Sequence, residues 1–254
     1  MTNPQSDADK IKNNVRTFYN EHPMSNFGIL QKLELPKKIR GKKVLDAGCG
    51  SGFFLFDYLF YGADVTGVDQ SEKSIQFIRE QTDLLGFHPT LIAGDLETVH
   101  LEENSFDYIF CIYVLQHTPN PRLVLEQFHK WSKKDGTIKL IISHKYVPEA
   151  FLQRIIIAPI FHLAPWLSKI IPTNIKKRVH WEDRFEHPYW RQMSKNQVIE
   201  LCNSAGLEIR SIKIYGFTTF FLGYFIPPII NKALDALLGR YFGRAIAVEA
   251  TPKK

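Results

Sequence analysis

The sequence predicts an α/β protein built on a mostly parallel sheet with helices on both faces. Between residues 41 and 144, short apolar segments alternate with helical segments at regular intervals. The segments with strand character are KKVLDAG, DVTGVD, TLIAGD, FDYIFCIYV and GTIKLIISH. The helical segments between them are FFLFDYLFYG, a stretch from Glu72 to about Leu85 that Ser71 is expected to cap, and PRLVLEQFHKWSK. Strands separated by helices of this length indicate βαβ units, which contain parallel strands.

Two further strands are expected in the second half of the chain, which gives seven in all. Ser194 is predicted to cap the helix KNQVIELCNSAG, which leads into the strand LEIRSIKIYG, and RAIAVEAT is the last strand. The expected organisation is an N-terminal helical cap (1–40), a Rossmann-like core (41–144), a helical insertion over the active site (145–193), and the end of the core sheet (194–254) with a second apolar insertion at 217–242.

Composition and charge exclude several classes of protein. The chain has 254 residues and a formal net charge of +6, but no run of Lys and Arg typical of a nucleic-acid-binding arm, so no nucleic-acid partner is expected. The three cysteines form no C-x-x-C pair, which indicates a reducing compartment. The apolar stretches are too short or too interrupted to span a bilayer. We expect a cytoplasmic protein, with peripheral contact at the inner membrane face as an open alternative.

The most informative segment is VLDAGCGSG, residues 44–52. Glycines at the turn between a strand and a helix let the backbone approach a ligand closely, and the helix N-terminus adds a partial positive charge. Asp69 lies 21 residues beyond Gly48, at the end of the second strand, where a Rossmann-type site places a carboxylate for ribose hydroxyls. A nicotinamide site would require a further glycine at the position of Phe53, and it would have no use for Asp46, which suits a ligand with a free amino group.

These segments carry a family resemblance. VLDAGCGSG, VTGVDQS, AGDLE and SFDYIFCIYVLQH are similar, in order and spacing, to the motifs of class I methyltransferases dependent on S-adenosylmethionine (SAM), and most of all to the ubiquinone and menaquinone biosynthesis branch. The resemblance implies SAM as the cofactor and a seventh strand that runs antiparallel between the fifth and sixth. It also implies the cofactor-binding residues: Asp46, Gly48 and Gly50 for the methionine moiety, Asp69 for the ribose, Gln70 for the adenosine, Asp95 and Leu96 for the adenine, and Ile112 beside the sulfonium.

The residues that act on the methyl acceptor are less clearly marked. His117 follows the fourth strand at the sheet edge where ligands bind, so it is either a general base or a structural turn residue. In the ubiquinone O-methyltransferases this region tends to read E-x-x-E-H, with carboxylates linked to a divalent metal. Tyr113 and Gln116 occupy those positions here, so no metal is expected, and Tyr113 is a candidate substrate contact. His187 and Tyr189 lie in an aromatic, ionisable cluster that could form an acceptor-binding wall or a solvated loop.

The two apolar insertions bear on the acceptor, because both are expected at the carboxyl edge of the sheet. They could form a lid, an apolar pocket, a membrane-docking surface or a plain helical subdomain, and neighbouring basic residues suit docking. The sequence thus predicts a SAM-dependent methyltransferase, O-directed rather than C- or N-directed, acting on a small acceptor that is apolar or lipid-linked. The rival functions are a non-catalytic SAM-binding module and, less favoured, a nicotinamide-dependent oxidoreductase. Oligomeric state is left open.

Overall fold

The computed structural model describes residues 17, 39–146, 189, 191–216, 237–239, 241 and 243–253. These residues contain a seven-stranded sheet in the order β3-β2-β1-β4-β5-β7-β6. The strands are β1 (Lys43–Ala47), β2 (Asp64–Asp69), β3 (Thr90–Ala93), β4 (Phe106–Ile112), β5 (Ser132–Ser143), β6 (Leu207–Tyr215) and β7 (Ala245–Pro252). The helices that connect or flank them are α1 (Phe53–Phe60), α2 (Glu72–Leu85), α3 (Pro121–Trp131) and α4 (Lys195–Ser204).

The direction of the strands matches the predicted topology. β1, β2, β3, β4 and β5 pair in parallel, whereas β7 pairs antiparallel with both β5 and β6. The expectation that the seventh strand runs antiparallel between the fifth and sixth is therefore confirmed. In this arrangement the carboxyl ends of β1, β2, β4 and β5 meet at one edge of the sheet, which is where ligands bind in open α/β sheets.

Helices cover both faces of the sheet because successive strand residues point to opposite sides. Val44 packs in a cluster with residues of α1 and α2, while its neighbour Leu45 packs in a second cluster with residues of α3 and α4. The first cluster includes Leu55, Tyr58, Leu59, Ile75 and Ile78, and the second includes Val124, Leu125, Phe128, Val198 and Cys202. The predicted architecture, with helices on both faces, is thus confirmed.

Helix starts follow the local chemistry of the sequence. The hydroxyl of Ser71 accepts the N–H of Ser74 at 3.2 Å and begins α2. Ser194 and Gln197 form a reciprocal capping box that begins α4. The main difference concerns β5, which begins at Ser132 rather than near Gly136. The first residues of β5 are polar, so nothing in the sequence indicates that the strand starts there. Ser132 nevertheless pairs with Phe106 on β4, just before a shift in register.

Within the described ranges, no helix has both the length and the apolar character needed to cross a bilayer. Most of the predicted N-terminal cap (1–40) and of the two insertions at 145–193 and 217–242 lies outside the described residues. The returning end of the first insertion, around Met193, is described and joins the sheet through a parallel bridge with His144.

Candidate cofactor and methyl-transfer site

The glycine turn after β1 forms the floor of the site. Gly48 and Gly50 have φ values of 80° and 51°, a region that side chains disfavour. A Cβ atom at Gly48 would collide with the side chain of Val114, so the turn packs directly against the segment that follows β4. A Cβ atom at Gly50 would meet nothing within 4 Å. The turn therefore presents bare backbone to open space, as a closely approaching ligand requires.

Asp69, at the end of β2, anchors this turn. Its Oδ2 accepts the N–H of Gly50 at 2.8 Å, and its Oδ1 accepts the N–H of Ser71 at 2.8 Å. Burial raises the pKa of this carboxyl, and the two backbone hydrogen bonds act in the opposite direction. A carboxylate has about four lone-pair sites, so each oxygen retains acceptor capacity for a ligand hydroxyl while it holds the loop.

Asp46 is a buried carboxyl whose Oδ2 has no hydrogen-bond partner. The residue is 3% exposed and faces the same cavity as the glycine turn. Desolvation, together with the nearby charge of Asp69, raises the pKa of Asp46 to about 8. A buried carboxyl without a partner is costly, and a cationic group in the cavity would satisfy it. The α-amino group of the methionine moiety of SAM is such a group, so this end of the site fits the cofactor.

The expected adenosine-binding residues lie on the other side of the turn. Gln70 and Leu96 both line the cavity, and Leu96 also belongs to the apolar core. The Asp95 carboxylate accepts the N–H of Glu97 at 2.9 Å and so shapes the turn after β3. Asp95 is not among the residues that line the cavity, whereas its neighbour Gly94 is. Of the two residues expected at the adenine, Leu96 thus lines the cavity and Asp95 does not.

The end of β4 forms the opposite wall. Ile112 and Tyr113 line the cavity, and Tyr113 has a φ of 56°, which is unusual for a residue with a bulky side chain. Its backbone N–H donates to the carbonyl of Ile141 on β5 at 2.8 Å, which fixes this bend in the chain.

His117 completes this wall from a single 3₁₀ turn, Leu115–His117. It is 9% exposed and lines the cavity. Its Nδ1 lies 3.1 Å from the carbonyl oxygen of Tyr189. A carbonyl can only accept, so Nδ1 carries the proton, and in the neutral ring Nε2 carries the basic lone pair. The imidazole is therefore held in the tautomer that a general base requires.

The returning end of the first insertion contacts this 3₁₀ turn through its backbone. Besides the contact between Tyr189 and His117, the N–H of Arg191 donates to the carbonyl of Gln116 at 2.8 Å. Gln116 is 1% exposed and its Oε1 has no hydrogen-bond partner. Tyr189 thus enters the site through its main-chain carbonyl. His187, the other predicted residue of this segment, lies outside the described residues.

One cavity connects these parts. It measures about 980 Å³ including the open space at its mouth. Sequence reasoning missed several of its lining residues: Cys49, Ser51, Phe53, Phe54, Ser74, Gly94, Val114 and Thr118. Cys49, Ser51, Gly94 and Val114 lie inside the recognised motifs, and Phe53, Phe54 and Thr118 follow a motif within two residues. Assigning the whole of each motif to the cavity, with two more residues after it, would have found these seven. In the part of the chain described, no three His, Cys, Asp or Glu side chains are grouped so that they could hold a metal ion.

The sheet topology, together with the glycine turn between the carboxyls of Asp46 and Asp69, defines a class I SAM-dependent methyltransferase. Residues 38–158 match the family model described as a methyltransferase domain, and this part of the chain belongs to that family. The chain is 27% identical over 203 residues to a ubiquinone biosynthesis O-methyltransferase from Glaesserella parasuis serovar 5. The aligned region covers 78% of each protein. A protein of the same description from Haemophilus ducreyi is 28% identical over 182 residues, 70% of each.

Solved structures share the fold at low sequence identity. The magnesium protoporphyrin IX methyltransferase of Synechocystis PCC 6803 with bound S-adenosylhomocysteine (SAH) has a TM-score of 0.59 at 15% identity, and the match covers 96% of this chain and 100% of that one. The [4+2]-cyclase SpnF has a TM-score of 0.58 at 15% identity, and the match covers 84% of this chain and 75% of that one. A fold that hosts a cyclase does not by itself determine the reaction. The family match and the curated relatives identify this chain as a methyltransferase.

Proposed function

We propose that the protein transfers the methyl group of SAM to a hydroxyl oxygen of a small apolar acceptor, with His117 as the general base. The observation that carries this proposal is the orientation of His117. Its ring lies in the cavity wall, and its Nδ1 proton is engaged by the Tyr189 carbonyl, so the basic nitrogen is Nε2. The cofactor would be held by Asp46 at its amino group, by the backbone of Gly48 and Gly50, and by Asp69 at the ribose.

Bound SAM supplies a methyl group on a sulfonium, so transfer forms an oxygen–carbon bond, breaks the sulfur–carbon bond and leaves a neutral thioether. The protein aligns the acceptor oxygen with the methyl carbon, which contributes much of the rate by positioning alone. His117 Nε2 takes the hydroxyl proton as the oxygen attacks. The apolar residues Ile112 and Leu96 line the same cavity.

The proposed acceptor is an apolar hydroxylated compound, and a lipid-linked aromatic is the leading class. Two observations support it. The curated relatives are described as ubiquinone biosynthesis O-methyltransferases, and the sequence places two apolar insertions at the carboxyl edge of the sheet. Tyr113 and Gln116 replace the carboxylates expected for a metal-assisted site, so the acceptor would be oriented without a metal.

The test is transfer of label from methyl-labelled SAM into a lipid extract of cells. We expect labelled methyl ethers of apolar hydroxyl compounds, and we expect none with the His117→Asn variant. His88→Asn, a change in an exposed loop, is the matched control and should label as the wild type does. Binding of SAM without transfer to any compound would favour the non-catalytic module, and label recovered only in amines would contradict an oxygen acceptor.

Peripheral membrane contact is proposed as the route to a lipid-linked acceptor. The support is the apolar segment 217–230 and the basic residues beside the two insertions. Sedimentation should show binding to anionic vesicles above neutral ones, weakening as salt rises. Changing Phe220, Phe221 and Phe225 together to Ser should reduce this binding and leave SAM affinity intact. If the wild-type protein stays in the supernatant with both vesicle types, the proposed membrane contact is wrong. The remaining interpretation of the insertions would be an apolar pocket for the acceptor.

A further inference from the structure

A buried glutamate joins two loops that border the cavity. Glu97 lies in the loop after β3 and is 4% exposed. One of its carboxylate oxygens accepts the backbone N–H of Asn120 at 2.9 Å, and the other accepts the side-chain amide of Asn120 at 3.3 Å. Asn120 is the N-cap residue of α3 and follows His117 by three positions. The two hydrogen bonds thus link the loop on the adenosine side of the site to the turn that carries His117.

The start of α3 shows that this link replaces an ordinary helix cap. The side chain of an N-cap asparagine usually accepts an N–H group from the first turn of its own helix. The side chain of Asn120 makes no such bond, and its amide donates to Glu97 instead. A carboxylate at this end of a helix is also favoured by the helix dipole. The contact with Glu97 therefore takes the place of a bond that α3 would otherwise make locally.

The segment between His117 and α3 is stiff. Residues 118–121 read T-P-N-P, and each proline ring fixes one backbone angle. A residue that precedes a proline is restricted as well, and Thr118 is accordingly extended, with φ −93° and ψ 134°. The Thr118 hydroxyl donates to the carbonyl of Leu115 at 2.9 Å and closes the turn on itself. A shift of Asn120 would therefore be transmitted to His117 rather than absorbed by the residues between them.

The other end of the link is fixed on the cofactor side of the site. Leu96, directly before Glu97, lines the cavity. The Asp95 carboxylate accepts the N–H of Glu97 at 2.9 Å. The N–H of Gly94 donates to the main-chain carbonyl of Asp69, also at 2.9 Å. Asp69 is the proposed ribose contact, so the loop that carries Glu97 has a fixed place relative to the cofactor.

We propose that Glu97 is a positioning residue for methyl transfer, which holds the turn of His117 in place relative to the cofactor through its two hydrogen bonds to Asn120. This inference rests on the proposed role of His117 as the general base and adds the group that keeps the base in position. Glu97 is not among the residues that line the cavity, so its effect on the reaction passes through Asn120. A general base must lie within hydrogen-bond reach of the proton it removes, and a displacement of about 1 Å can cost a factor of about 100 in rate.

The first variant is Glu97→Met, which removes both acceptor oxygens and keeps an unbranched side chain of similar length. The rate of label transfer from saturating methyl-labelled SAM into the lipid extract should fall about 10- to 100-fold. SAH affinity, measured by calorimetry, should stay within about twofold of the wild-type value, because Glu97 does not line the cavity. Glu103→Met, at an exposed position in the same connection between β3 and β4, is the matched control and should change neither quantity.

A swapped pair of side chains tests the contact itself. Asn120→Asp places a second carboxylate opposite that of Glu97, so the amide bond is lost, the like charges repel each other and the rate should fall. Adding Glu97→Gln supplies an N–H₂ group to the new carboxylate, keeps an oxygen for the backbone N–H and restores the net charge. The double variant should therefore recover most of the wild-type rate. Asn203→Asp adds the same charge at an exposed position near the end of α4 and should have no effect.

The tautomer of the His117 ring gives a second readout that needs no acceptor. Nitrogen NMR of SAH-loaded protein with isotope-labelled histidine measures it, and the ring signal that disappears in His117→Asn belongs to His117. The wild-type ring should be protonated at Nδ1, which contacts the Tyr189 carbonyl. Both tautomers should appear in Glu97→Met and in Asn120→Asp, because the turn is released, and the swapped pair should restore the wild-type signal. A residue that only stabilises the fold would lower the melting temperature without changing this signal.

An unchanged rate and ring signal in Glu97→Met would overturn the inference. So would a loss in Asn120→Asp that Glu97→Gln does not reverse. If either single variant loses SAH binding together with activity, Glu97 supports the fold or the cofactor rather than the base, and the inference is wrong. A wild type that transfers no methyl group to oxygen would contradict the proposed function, while the ring signal would still decide the role of Glu97. The two proposals can therefore fail separately.

Discussion

The Asp69 carboxylate accepts the backbone N–H of Gly50 at 2.8 Å, so the acidic residue at the end of β2 holds the glycine turn that follows β1. A second bond from the N–H of Ser71, also 2.8 Å, fixes the other carboxylate oxygen. The residue expected to contact the ribose is thus also the residue that shapes the loop beneath the methionine moiety. A change at Asp69 should therefore disturb two parts of cofactor binding together.

We expect Asp69→Asn to weaken SAH binding by about tenfold or more. The neutral amide weakens charge-assisted hydrogen bonds to the ribose, each of which contributes about 1.5–3 kcal/mol, and it presents an N–H₂ group to one of the two backbone donors. Isothermal titration calorimetry measures the affinity. Asp64→Asn, at the exposed start of the same strand, is the matched control and should bind as the wild type does. Equal affinities for Asp69→Asn and wild type would show that Asp69 does not contact the ligand.

Asp46 should make the stability of the cofactor-free protein depend on pH. Its pKa is raised from 3.8 to about 8 in the folded protein, so between these values the folded state holds a proton that the unfolded state has released. The free energy of unfolding should therefore fall as pH rises through this window, and the contribution of Asp46 should be lost above about pH 8.

Urea unfolding across this range, with wild type and Asp46→Asn compared, measures the effect. The variant carries a neutral side chain at every pH, so the stability of the wild type relative to it should decline as pH rises. Asp64→Asn should retain the wild-type slope. Parallel profiles for the wild type and Asp46→Asn would mean that Asp46 is already ionised in the folded protein.

His117 can be tested with two amides that each replace a different ring nitrogen. In His117→Asn the side-chain N–H₂ group stands near the position of Nδ1 and can still donate to the Tyr189 carbonyl, but no base is left. His117→Gln places its amide near Nε2 instead. Loss of a general base should lower kcat by about 10²–10⁴-fold in both, with SAH affinity retained. Steady-state kinetics with the acceptor identified by labelling measures this, and a kcat close to wild type in His117→Asn would assign His117 a structural role.

Methyl transfer should survive exhaustive chelation. The basis is the presence of Tyr113 and Gln116 where the resembled O-methyltransferases have metal-linked carboxylates. Turnover after dialysis against EDTA should equal turnover before it, and added magnesium or zinc should not raise it. If activity is lost on chelation and restored by either ion, the enzyme has metal ligands and the prediction is wrong.

Sequence reasoning succeeded where the physical cause is local. Ser71 caps α2 through a bond to the N–H three residues later, and the glycine turn needs only its own backbone freedom. Both features can be read from a few neighbouring letters. The strand order followed from the family resemblance, since nothing in the residues of β7 themselves shows that it pairs between β5 and β6.

The parts that sequence could not predict depend on contacts between distant residues. The bond between His117 and Tyr189 joins positions 72 residues apart and uses a main-chain carbonyl, which carries no side-chain signal. The left-handed φ of Tyr113 is equally hidden in the sequence, because a bulky residue gives no indication of such a conformation.

The central position of β7 sets an order for assembly of the molecule. The strands β1 to β4, which support the cofactor turn, pair among residues 43–112, so this half of the sheet can form while the rest of the chain is still being synthesised. β6 has no pairing with β5 and joins the sheet only through β7, the last of the seven strands along the chain. β6 therefore joins the sheet only after residues 245–252 have paired, so the strands that support the cofactor turn can pair before the sheet is complete.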